Sequence, residues 1–479
     1  MLQPKLSDFK EKLSATLIKK YEVKGSFYTD YPPLGLLNEK FTHQDYEKAL
    51  LDLIAKGEEN PLMFYLHFPY CAQLCYYCQC SFVVTSNYSN LTSILDYTFR
   101  EIDMLKSFLD RHHFNPNIVE IHLGGGSPSY LKEKEFDSLI DKLDTCLIPI
   151  KNLKELTIEV DPRNVNVETL KHYSQKGCTR LSFGIQEFNL DVQKAINRVQ
   201  SFELIDSLLT PEVRAGYKSI NFDLIYGMPL QTRETFKDTI EKTIELAPDR
   251  IALCVLGYRP DIYKHHKVLN PSDLPSPYER TLIGQEAMQR LMENGYSRIG
   301  YDHFAKTTDQ LSKDMAQKKM HRSALGYQPG RYTDMIGVGP STMMRVTDQY
   351  YFQNYFGVSE YKAALDKNNF PIFRGYKMSV DDCMRRDVMH SIMNYYRIEF
   401  SYFKEKYAIE FKDYFSEDLE LLQEVIQDGF AVLEANAIQV TPLGSCFLRH
   451  ICTPFDKLKR EGLEYKHSRE FEIERRKSA

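Results

Sequence analysis

Residues 63–80 read MFYLHFPYCAQLCYYCQC and join the two features that decide the fold. The first seven residues form an apolar, β-rich run, which is typical of a buried strand that stops at Pro69. The run leads directly into a loop that contains four cysteines, Cys71, Cys75, Cys78 and Cys80. The stretch therefore predicts a strand whose carboxyl end carries a thiol-rich loop.

Five further β-rich runs follow, and helical segments alternate with them. The runs are IVEIHLGGG (118–126), ELTIEV (155–160), RLSFGIQ (180–186), SINFDLIYGMP (219–229) and RIALCVLGY (250–258). Residues 90–113, 135–147 and 233–248 repeat apolar residues three or four apart, as amphipathic helices do. The alternation predicts an α/β fold built on a parallel sheet.

Polar and glycine residues gather where these predicted strands end. GGGSP follows the second strand, and Glu159, Gln186, Asp223 and Gly257 lie in or near the ends of the later strands. Active sites of parallel sheets lie at the carboxyl ends of the strands. The sequence therefore predicts a site on this rim, beside the cysteine loop.

Composition limits the other classes of function. The chain has 479 residues, of which 43% are hydrophobic, enough for two or three packed domains without disulfides. Its 61 basic and 66 acidic residues give a net charge of −5, so no general attraction to nucleic acid or an anionic membrane is expected. No signal peptide and no stretch of ~18 apolar residues is found. We expect a cytoplasmic protein with reduced cysteines and no membrane span.

Three interpretations of the four cysteines remain open from the residues alone. A structural zinc site needs four tetrahedral ligands, usually in two separated pairs, and Cys78 and Cys80 are close together for that geometry. Chance burial rarely concentrates four thiols in one loop flanked by tyrosines. An iron–sulfur cluster is favoured, because thiolates are its usual ligands and one loop can reach successive irons.

The spacing C-x3-C-x2-C over residues 71–78 resembles the motif of the radical S-adenosylmethionine (SAM) superfamily. The resemblance implies a partial (β/α)6 barrel in which Cys71, Cys75 and Cys78 ligate three irons of a [4Fe–4S] cluster. SAM would bind the fourth iron, and Tyr77 would pack beside its adenine. Reductive cleavage of SAM would then yield a 5′-deoxyadenosyl radical.

Longer motifs resemble one family of this superfamily, the oxygen-independent coproporphyrinogen III oxidases. The similar segments, which span roughly residues 15–460, include EIHLGGGSPSYL, IEVDPRN, RLSFGIQEFN, FDLIYGMPLQT, GYSRIGYDHFAK, YTDMIGVG and CMRRDVM. Cys80 also fits this family, whereas related heme chaperones usually lack a cysteine there. The family pattern implies that Cys80 is not a ligand.

The family resemblance also implies two bound SAM molecules, with contacts on residues of the predicted rim. These residues are Tyr65, Tyr77, Gly125, Gly126, Ser127, Glu159, Gln186, Arg198, Asp223, Gly257 and Met343. The chemistry agrees for several of them. A glycine run would leave backbone N–H groups open to the methionyl group, Glu159 would accept from an ammonium, and Asp223 would accept from ribose hydroxyls. Arg198 would pair with a carboxylate.

Each position also has a purely structural interpretation. The glycine run suits a tight turn, the two carboxylates suit helix caps, and Arg198 suits a solvated ion pair. His67 and His122 lie within apolar strands without the spacing of metal ligands, which favours core or supporting roles. The joint occurrence of these residues on consecutive strands favours the cofactor site.

The reaction implied by the family is the oxidative decarboxylation of two propionates of coproporphyrinogen III to vinyl groups, which gives protoporphyrinogen IX. It implies a tetrapyrrole substrate and a low-potential electron donor. Arg322 and the segment SFYTDYPP (26–33), which resembles the family's lid, are the candidates to hold the propionates.

Three departures from the family pattern lie near the predicted pocket. Leu325, in HRSALGYQPGRYTD, replaces a glutamine, LGYRP (256–260) replaces a segment resembling YAHLP, and Gln79 replaces a glycine. These changes leave two alternatives to the oxidase. One is a heme-binding chaperone, and the other is a radical SAM methyltransferase or another tetrapyrrole-modifying enzyme.

We predict four regions along the chain. They are an N-terminal helical and lid segment (1–58), the barrel (59–300), an extension that completes the active site (301–358) and a mostly helical C-terminal domain with a charged tail (359–479). Within the last, GFAVLEANAIQVT (429–441) predicts the strands of a winged-helix-like unit. Its near-neutral local charge favours a structural role over nucleic-acid binding. We expect a monomer.

Overall fold

The computed structural model describes residues 7, 10–22, 31–323, 325–330 and 334–460. Residues 26–30 of the predicted lid and the charged tail from residue 461 onward lie outside the described residues. Within the described ranges, no helix is long and apolar enough to cross a membrane.

Strands and helices alternate through the first half of the chain, and further strands and helices follow up to residue 460. The strands are β1 (Pro61–Phe68), β2 (Tyr70–Cys71), β3 (Val83–Val84), β4 (Asn117–Gly125), β5 (Glu155–Val160), β6 (Arg180–Gln186), β7 (Ser219–Tyr226), β8 (Arg250–Val255), β9 (Tyr296–Ile299), β10 (His303–Lys306), β11 (His321–Ser323), β12 (Gly326–Gln328), β13 (Asp334–Val338), β14 (Met343–Val346), β15 (Tyr350–Asn354), β16 (Ile372–Lys377), β17 (Arg397–Glu399), β18 (Ala431–Leu433) and β19 (Ala437–Val440). The helices are α1 (Ala15–Lys20), α2 (His43–Ala55), α3 (Ser89–Arg111), α4 (Glu133–Cys146), α5 (Val167–Gln175), α6 (Leu190–Ala195), α7 (Phe202–Leu208), α8 (Pro211–Ala215), α9 (Arg233–Leu246), α10 (Pro277–Glu293), α11 (Gln310–Ala316), α12 (Val358–Asp366), α13 (Val380–Tyr395), α14 (Phe400–Tyr407), α15 (Phe411–Tyr414), α16 (Ser416–Gln427), α17 (Leu448–Cys452) and α18 (Lys457–Arg460).

Most strands belong to one sheet of twelve strands. Its order is β16-β15-β14-β13-β1-β4-β5-β6-β7-β8-β10-β9. The central six, β1, β4, β5, β6, β7 and β8, are parallel, with Ile158 opposite Leu123 on one side and Leu181 on the other. These are the six strands that the sequence predicts. The predicted α/β fold with a partial (β/α)6 barrel is confirmed.

Unbroken burial explains why these segments form central strands. Every residue from Leu62 to Phe68 in β1 is buried. A strand that is covered on both faces needs apolar residues at successive positions. The bounds of β5 and β6 are those predicted, whereas β7 stops at Tyr226, before its predicted end. The next residue, Gly227, has a φ of 83°, which no strand continues.

Amphipathic helices cover the parallel strands. In α4 the buried side chains recur three or four residues apart, at Phe136, Leu139, Ile140 and Leu143. The side chain of Thr232 accepts a hydrogen bond from the Thr235 N–H and so fixes the start of α9. Each helix therefore returns the chain to the start of the next strand, and the carboxyl ends of the strands share one rim.

Six strands that the sequence does not predict extend the sheet at both edges. On one edge β13 runs parallel to β1, with Gly337 opposite Tyr65, and β14 to β16 continue the sheet as antiparallel strands. On the other edge β10 and β9 add antiparallel to β8. The extension places the residues after β10 beside the rim.

The C-terminal unit has its own core. Its three-stranded antiparallel sheet has the order β17-β19-β18, and β18 and β19 correspond to the strand, turn and strand predicted over residues 429–441. Helices α13, α16 and α17 pack around this sheet. The core also includes Leu13 and Ile18, so α1 at the opposite end of the chain packs here.

A buried carboxyl group joins α3 to the added strands. Glu101 accepts hydrogen bonds from the Gly339 N–H and from Asn354 Nδ2, both at 2.8 Å, and from the Tyr361 hydroxyl at 2.5 Å. Burial raises the pKa of Glu101 from its ordinary value of 4.5 to about 7, although the three donors favour the charged form. Near neutral pH the folded protein therefore has to accommodate a charge that the interior disfavours.

We predict that Glu101 makes the protein less stable as the pH rises. Because the pKa is higher in the folded state, the neutral group stabilises the fold below pH 4.5, and this contribution is lost as the pH rises through about 7. The full loss is about 3 kcal/mol. Glu101→Gln keeps the group neutral. The melting temperature of this variant, relative to that of the wild type, should therefore increase between pH 5 and 7.5. The exposed substitution Glu245→Gln on α9 should show no such gain, and parallel curves for all three proteins would contradict the prediction.

Candidate active site at the carboxyl ends of the strands

The cysteine loop is fixed between β1 and α3 by backbone hydrogen bonds. Strands β2 and β3 pair in parallel, with Cys71 opposite Val84. The Thr85 N–H donates to the Cys71 carbonyl at 3.1 Å. Within this loop Cys75 is buried, Cys71 and Cys78 are half-buried, and Cys80 is exposed. All ten cysteines lie in the described ranges and carry no disulfide.

Two arginines place positive charge beside Cys75. Arg198 Nη1 lies 3.5 Å and Arg163 Nη2 3.7 Å from Cys75 Sγ. Both guanidinium groups also bind Asp161, at 3.2 and 2.6 Å. Burial alone would raise the pKa of Asp161, but the hydrogen bond from Arg163 and the charge of Arg198 lower it below its ordinary value. Arg198, Arg163 and Asp161 are therefore all charged and leave net positive charge beside Cys75 Sγ.

Burial dominates at Cys71. It raises the pKa of the Cys71 thiol, and the neighbouring thiols of Cys80 and Cys75 raise it further. Several adjacent thiols become anionic together only when a strongly positive group binds them. Within the described part of the chain, no three His, Cys, Asp or Glu side chains converge closely enough to hold a single metal ion. An iron–sulfur cluster stays the favoured group, because closely spaced thiolates in one loop can reach successive irons.

The glycine run packs against the loop instead of leaving its N–H groups open, so that expectation was wrong. The Gly125 N–H donates to Glu159 Oε2 at 3.2 Å, Gly126 N–H to the Phe68 carbonyl at 2.6 Å and Ser127 N–H to the Tyr70 carbonyl at 2.9 Å. Carbonyl groups of β1 and β2 thus accept the hydrogen bonds of the Gly126 and Ser127 N–H groups. The sequence alone does not show this competition, because it arises only when β4 pairs with β1.

We predict that Gly126→Ala disturbs the cysteine loop. A Cβ at this position would lie 2.8 Å from the Tyr70 carbonyl oxygen and 3.0 Å from that of Phe68, both backbone atoms. Such overpacking costs about 1–3 kcal/mol. We expect less than about half of the iron that wild-type protein binds on reconstitution, measured per chain. Gly57→Ala is the control for general destabilisation, because its Cβ would meet nothing within 4 Å and only the φ of 89° would strain the backbone, away from the loop. Equal iron in both variants would contradict the prediction.

Glu159 is the accessible carboxylate on the rim. Its side chain is 36% exposed and accepts a hydrogen bond from His122 Nε2 at 2.9 Å. The opposite ring atom, His122 Nδ1, is buried without a partner among the described residues. His122 therefore orients Glu159, which is the supporting role that the sequence favours.

His67 supports Tyr65 in the same way. His67 Nε2 donates to the Ser81 carbonyl at 2.8 Å, so Nδ1 accepts from the Tyr65 hydroxyl at 2.9 Å. Burial lowers the pKa of His67, which keeps the ring neutral. Tyr65 itself is buried, and its ring contacts those of His67 and His122.

Gln186 offers an unused acceptor at the end of β6. It is buried and has a φ of 68°, an uncommon value for a residue with a side chain. Its Oε1 atom is buried and has no hydrogen-bond partner in the described residues. Next to it, Arg198 is buried and donates to the Gly184 carbonyl, so the solvated pair considered for this arginine is not formed. An orphaned buried acceptor of this kind indicates a bound polar group.

Asp223 lies deeper in the rim, where Asn221 Nδ2 donates to its Oδ1 at 2.7 Å and the Ser182 hydroxyl to its Oδ2 at 3.3 Å. Burial raises the pKa of Asp223, and the charge of Glu159 raises it further, which places the two carboxylates near each other. Neither caps a helix in the described structure. The pair can therefore bind a ligand that carries a cation and hydroxyl groups.

Gly257 is held at the cysteine loop by Gln79, one of the residues that depart from the family pattern. Gln79 Nε2 donates to the Gly257 carbonyl, and a Cβ at Gly257 would lie 2.6 Å from this amide. Tyr77 packs with the apolar residues Val192 and Leu256 beside the same loop. Gln79 stands out in the sequence as a departure from the family pattern, but its contact with Gly257 forms only in the folded chain.

Met343 lies at the far edge of the site. It begins β14 and lines a hollow with Met63 and Met335. Leu325 is partly buried against Met63, Tyr65, Val119 and Met335. The replacement of a glutamine by Leu325 thus makes this side of the site more apolar.

The candidates for holding propionates differ in their surroundings. Arg322 is buried, and its guanidinium donates to Asp302 from both Nη atoms, at 3.1 Å to Oδ1 and 3.4 Å to Oδ2. Of the predicted lid, only residues 31–33 are described, and Tyr31 is buried beneath the Tyr351 hydroxyl, which donates to its carbonyl.

Sequence reasoning missed the second arginine at the cysteine loop. Asp161 and Arg163 belong to the IEVDPRN motif that also contains Glu159, but no feature of the motif directs Arg163 toward Cys75. Their position directly after a strand end was the available signal. Asp161 and Arg163 therefore add an ion pair to the predicted site, and this ion pair links the end of β5 to the cysteine loop.

The residues present fit an iron–sulfur cluster with SAM beside it. The thiols share one loop, two cations face Cys75, and the unpaired Gln186 Oε1 and the exposed Glu159 carboxylate remain for an organic ligand. Soft thiolates hold iron, and hydrogen bonds from cationic groups to the sulfur offset the negative charge of a cluster.

Comparisons with known proteins agree with this chemistry. Residues 65–243 match the radical SAM superfamily. The oxygen-independent coproporphyrinogen III oxidase of Escherichia coli is 36% identical over 93% of this chain and 95% of that protein, and that of Helicobacter pylori (strain J99) is 32% identical over 92% and 96%. The solved structure of the Escherichia coli coproporphyrinogen III oxidase, described as a radical SAM enzyme, is similar with a TM-score of 0.84 and 34% identity, covering 92% of this chain and 98% of that chain. The resemblance found in the sequence is confirmed: the chain belongs to the family of oxygen-independent coproporphyrinogen III oxidases, within the radical SAM superfamily.

Proposed function

We propose that this protein catalyses the oxygen-independent oxidative decarboxylation of coproporphyrinogen III to protoporphyrinogen IX, a step of heme biosynthesis. The observation that carries the proposal is the similarity to these oxidases along nearly the whole chain. It extends well beyond residues 65–243, the part matched by the superfamily as a whole. Residues outside the cofactor-binding core are therefore similar as well.

Cys71, Cys75 and Cys78 would hold the [4Fe–4S] cluster. When bound, the cluster and SAM supply a 5′-deoxyadenosyl radical that takes a hydrogen atom from the β-carbon of a propionate. Arg198 and Arg163 offset negative charge beside Cys75. The buried contacts of Tyr65 and His67 shield the loop from water.

The rim residues would bind SAM by complementary charge and hydrogen bonding. Glu159 accepts from an ammonium group, Asp223 from ribose hydroxyls, and Gln186 Oε1 from a donor that the protein itself does not provide. The remaining proposed contacts, to one or both of two SAM molecules, are Tyr65, Tyr77, Gly125, Gly126, Ser127, Arg198, Gly257 and Met343.

The apolar cluster that Leu325 forms with Met63 and Met335 would face the macrocycle. The two methionines are uncharged and adaptable in shape. No general base is needed in this proposal: after hydrogen abstraction the substrate radical loses carbon dioxide and gives one electron to an external one-electron acceptor, so the protein has only to hold the propionate in place and exclude water. Arg322 remains a proposed contact to the propionate, which would compete with Asp302 for its guanidinium.

The test is an anaerobic assay of reconstituted protein with dithionite, SAM and coproporphyrinogen III. We expect protoporphyrinogen IX to form in step with 5′-deoxyadenosine. Formation of 5′-deoxyadenosine without decarboxylation would overturn the substrate, and formation of S-adenosylhomocysteine would indicate a methyltransferase. Stoichiometric heme binding without turnover would indicate a heme-binding chaperone.

We also propose how the regions divide this work. In this division residues 59–300 would form the catalytic barrel, residues 301–358 the extension that completes the active site, residues 1–58 the N-terminal helical and lid segment, and residues 359–479 the helical C-terminal domain. The separate core that joins α1 to the C-terminal unit supports this division. The proposed enzyme acts in the cytoplasm as a monomer and receives electrons from a low-potential donor.

A further inference from the structure

An exposed surface of mixed character lies over the cysteine loop. We name it the loop face and define it by Phe82, Val83, Val84, Lys264, Lys267 and Val268. The three valines are large apolar residues, yet their exposed fractions are 44% for Val83, 43% for Val84 and 60% for Val268. Single exposed apolar residues need no explanation, but a group of them beside a functional loop indicates contact with a partner.

The two lysines of the loop face are not neutralised within the protein. Both are exposed on the short 3-10 helix Lys264–Val268, and neither forms an ion pair with a described residue. The carboxylate nearest in sequence, Asp261, is paired with Arg259 at 2.7 Å. The loop face therefore presents uncompensated positive charge beside apolar side chains.

The loop face adjoins two of the proposed cluster ligands, Cys78 through a hydrogen bond and Cys71 through strand pairing. His265 Nε2 donates to the Cys78 carbonyl at 2.7 Å, and this histidine lies between the two lysines. On the other side, Val84 pairs with Cys71 across β2 and β3. The ring of Phe82 contacts that of His265, with centroids 5.9 Å apart, and so connects the β3 side of the loop face to the 3-10 helix.

We propose that the loop face is the docking site for a small acidic one-electron carrier protein. The inference rests on the proposed function, in which one electron from outside the protein is needed for each SAM cleaved. The reduced carrier loses one electron and the oxidised cluster gains it, with no bond or proton changed. Unpaired lysines attract an acidic partner, and the valines supply the apolar centre of a small transient interface.

The test uses charge reversal at the two lysines. Reduced flavodoxin and reduced ferredoxin serve as acidic carriers, and stopped-flow absorbance records the rate of cluster reduction in reconstituted full-length protein. For Lys264→Glu/Lys267→Glu we expect a second-order rate at least about tenfold below that of the wild type at low salt, and a weaker dependence on salt. Titration calorimetry should show a parallel loss of carrier affinity. The matched control is Lys134→Glu/Lys237→Glu, two exposed lysines on α4 and α9.

Dithionite separates this inference from the proposed function. With dithionite the charge-reversed variant should reduce its cluster and cleave SAM at the wild-type rate. Equal carrier rates in both double variants, or a wild-type protein that neither carrier reduces, would overturn the docking site. A raised KM for coproporphyrinogen III with dithionite would also overturn it, because the lysines would then bind the substrate. Loss of decarboxylation with every reductant in the wild type would instead refute the proposed function.

Discussion

Serine in place of Cys71, Cys75 or Cys78 is expected to remove most of the bound iron and to lower SAM cleavage by at least about a thousandfold. A serine hydroxyl has the shape of the thiol but is not a soft anionic ligand, so the cluster loses one attachment. Cys75 should be the most sensitive of the three, because it is buried and Arg198 and Arg163 already face its sulfur. Iron per chain and the visible absorbance of the reconstituted protein measure the effect.

Two other cysteines serve as controls for these variants. Cys80→Ser should retain the iron, since Cys80 is exposed at the end of the loop, and should change turnover only. Cys146→Ser on α4, away from the loop, should behave as the wild type. Iron loss in Cys80→Ser as large as that in Cys71→Ser would overturn the assignment of three ligands.

The parts of the fold that follow from local pattern were predictable. The runs at 155–160 and 180–186 are bounded by polar residues, and β5 and β6 have those bounds. Strands β9 to β16 were not predicted, because most are three to five residues long and depend on distant partners. For example, β13 forms only because β1 offers its open edge to a segment far along the chain.

The site shows the same division between pattern and packing. Position along the strands was enough to select Glu159, Gln186 and Asp223 for the rim. The partners of these side chains were not visible, since a hydrogen bond such as that between Gly126 N–H and the Phe68 carbonyl requires two strands in register. Arg163 was missed for a related reason: its direction is set by Asp161, and a sequence does not state which way a side chain turns.

Glu159→Gln should separate SAM binding from cluster assembly. The iron content should stay at the wild-type level, because Glu159 contacts no cysteine and is held by His122 and the Gly125 N–H. The dissociation constant for SAM should rise about 10- to 100-fold, since one charge-assisted hydrogen bond to an ammonium is lost. An amide also turns an N–H group toward one of the two donors that now bind the carboxylate, which weakens its orientation.

Anaerobic calorimetry with SAM and an iron assay on the same samples give both quantities for Glu159→Gln. Glu168→Gln on α5 removes an equal charge from an exposed position paired only with Lys171, so its SAM affinity should not change. Unchanged affinity in Glu159→Gln would remove Glu159 from the proposed SAM contacts. Iron loss in this variant would show instead that Glu159 acts through the glycine run, whose close packing on Phe68 and Tyr70 holds the cysteine loop in place.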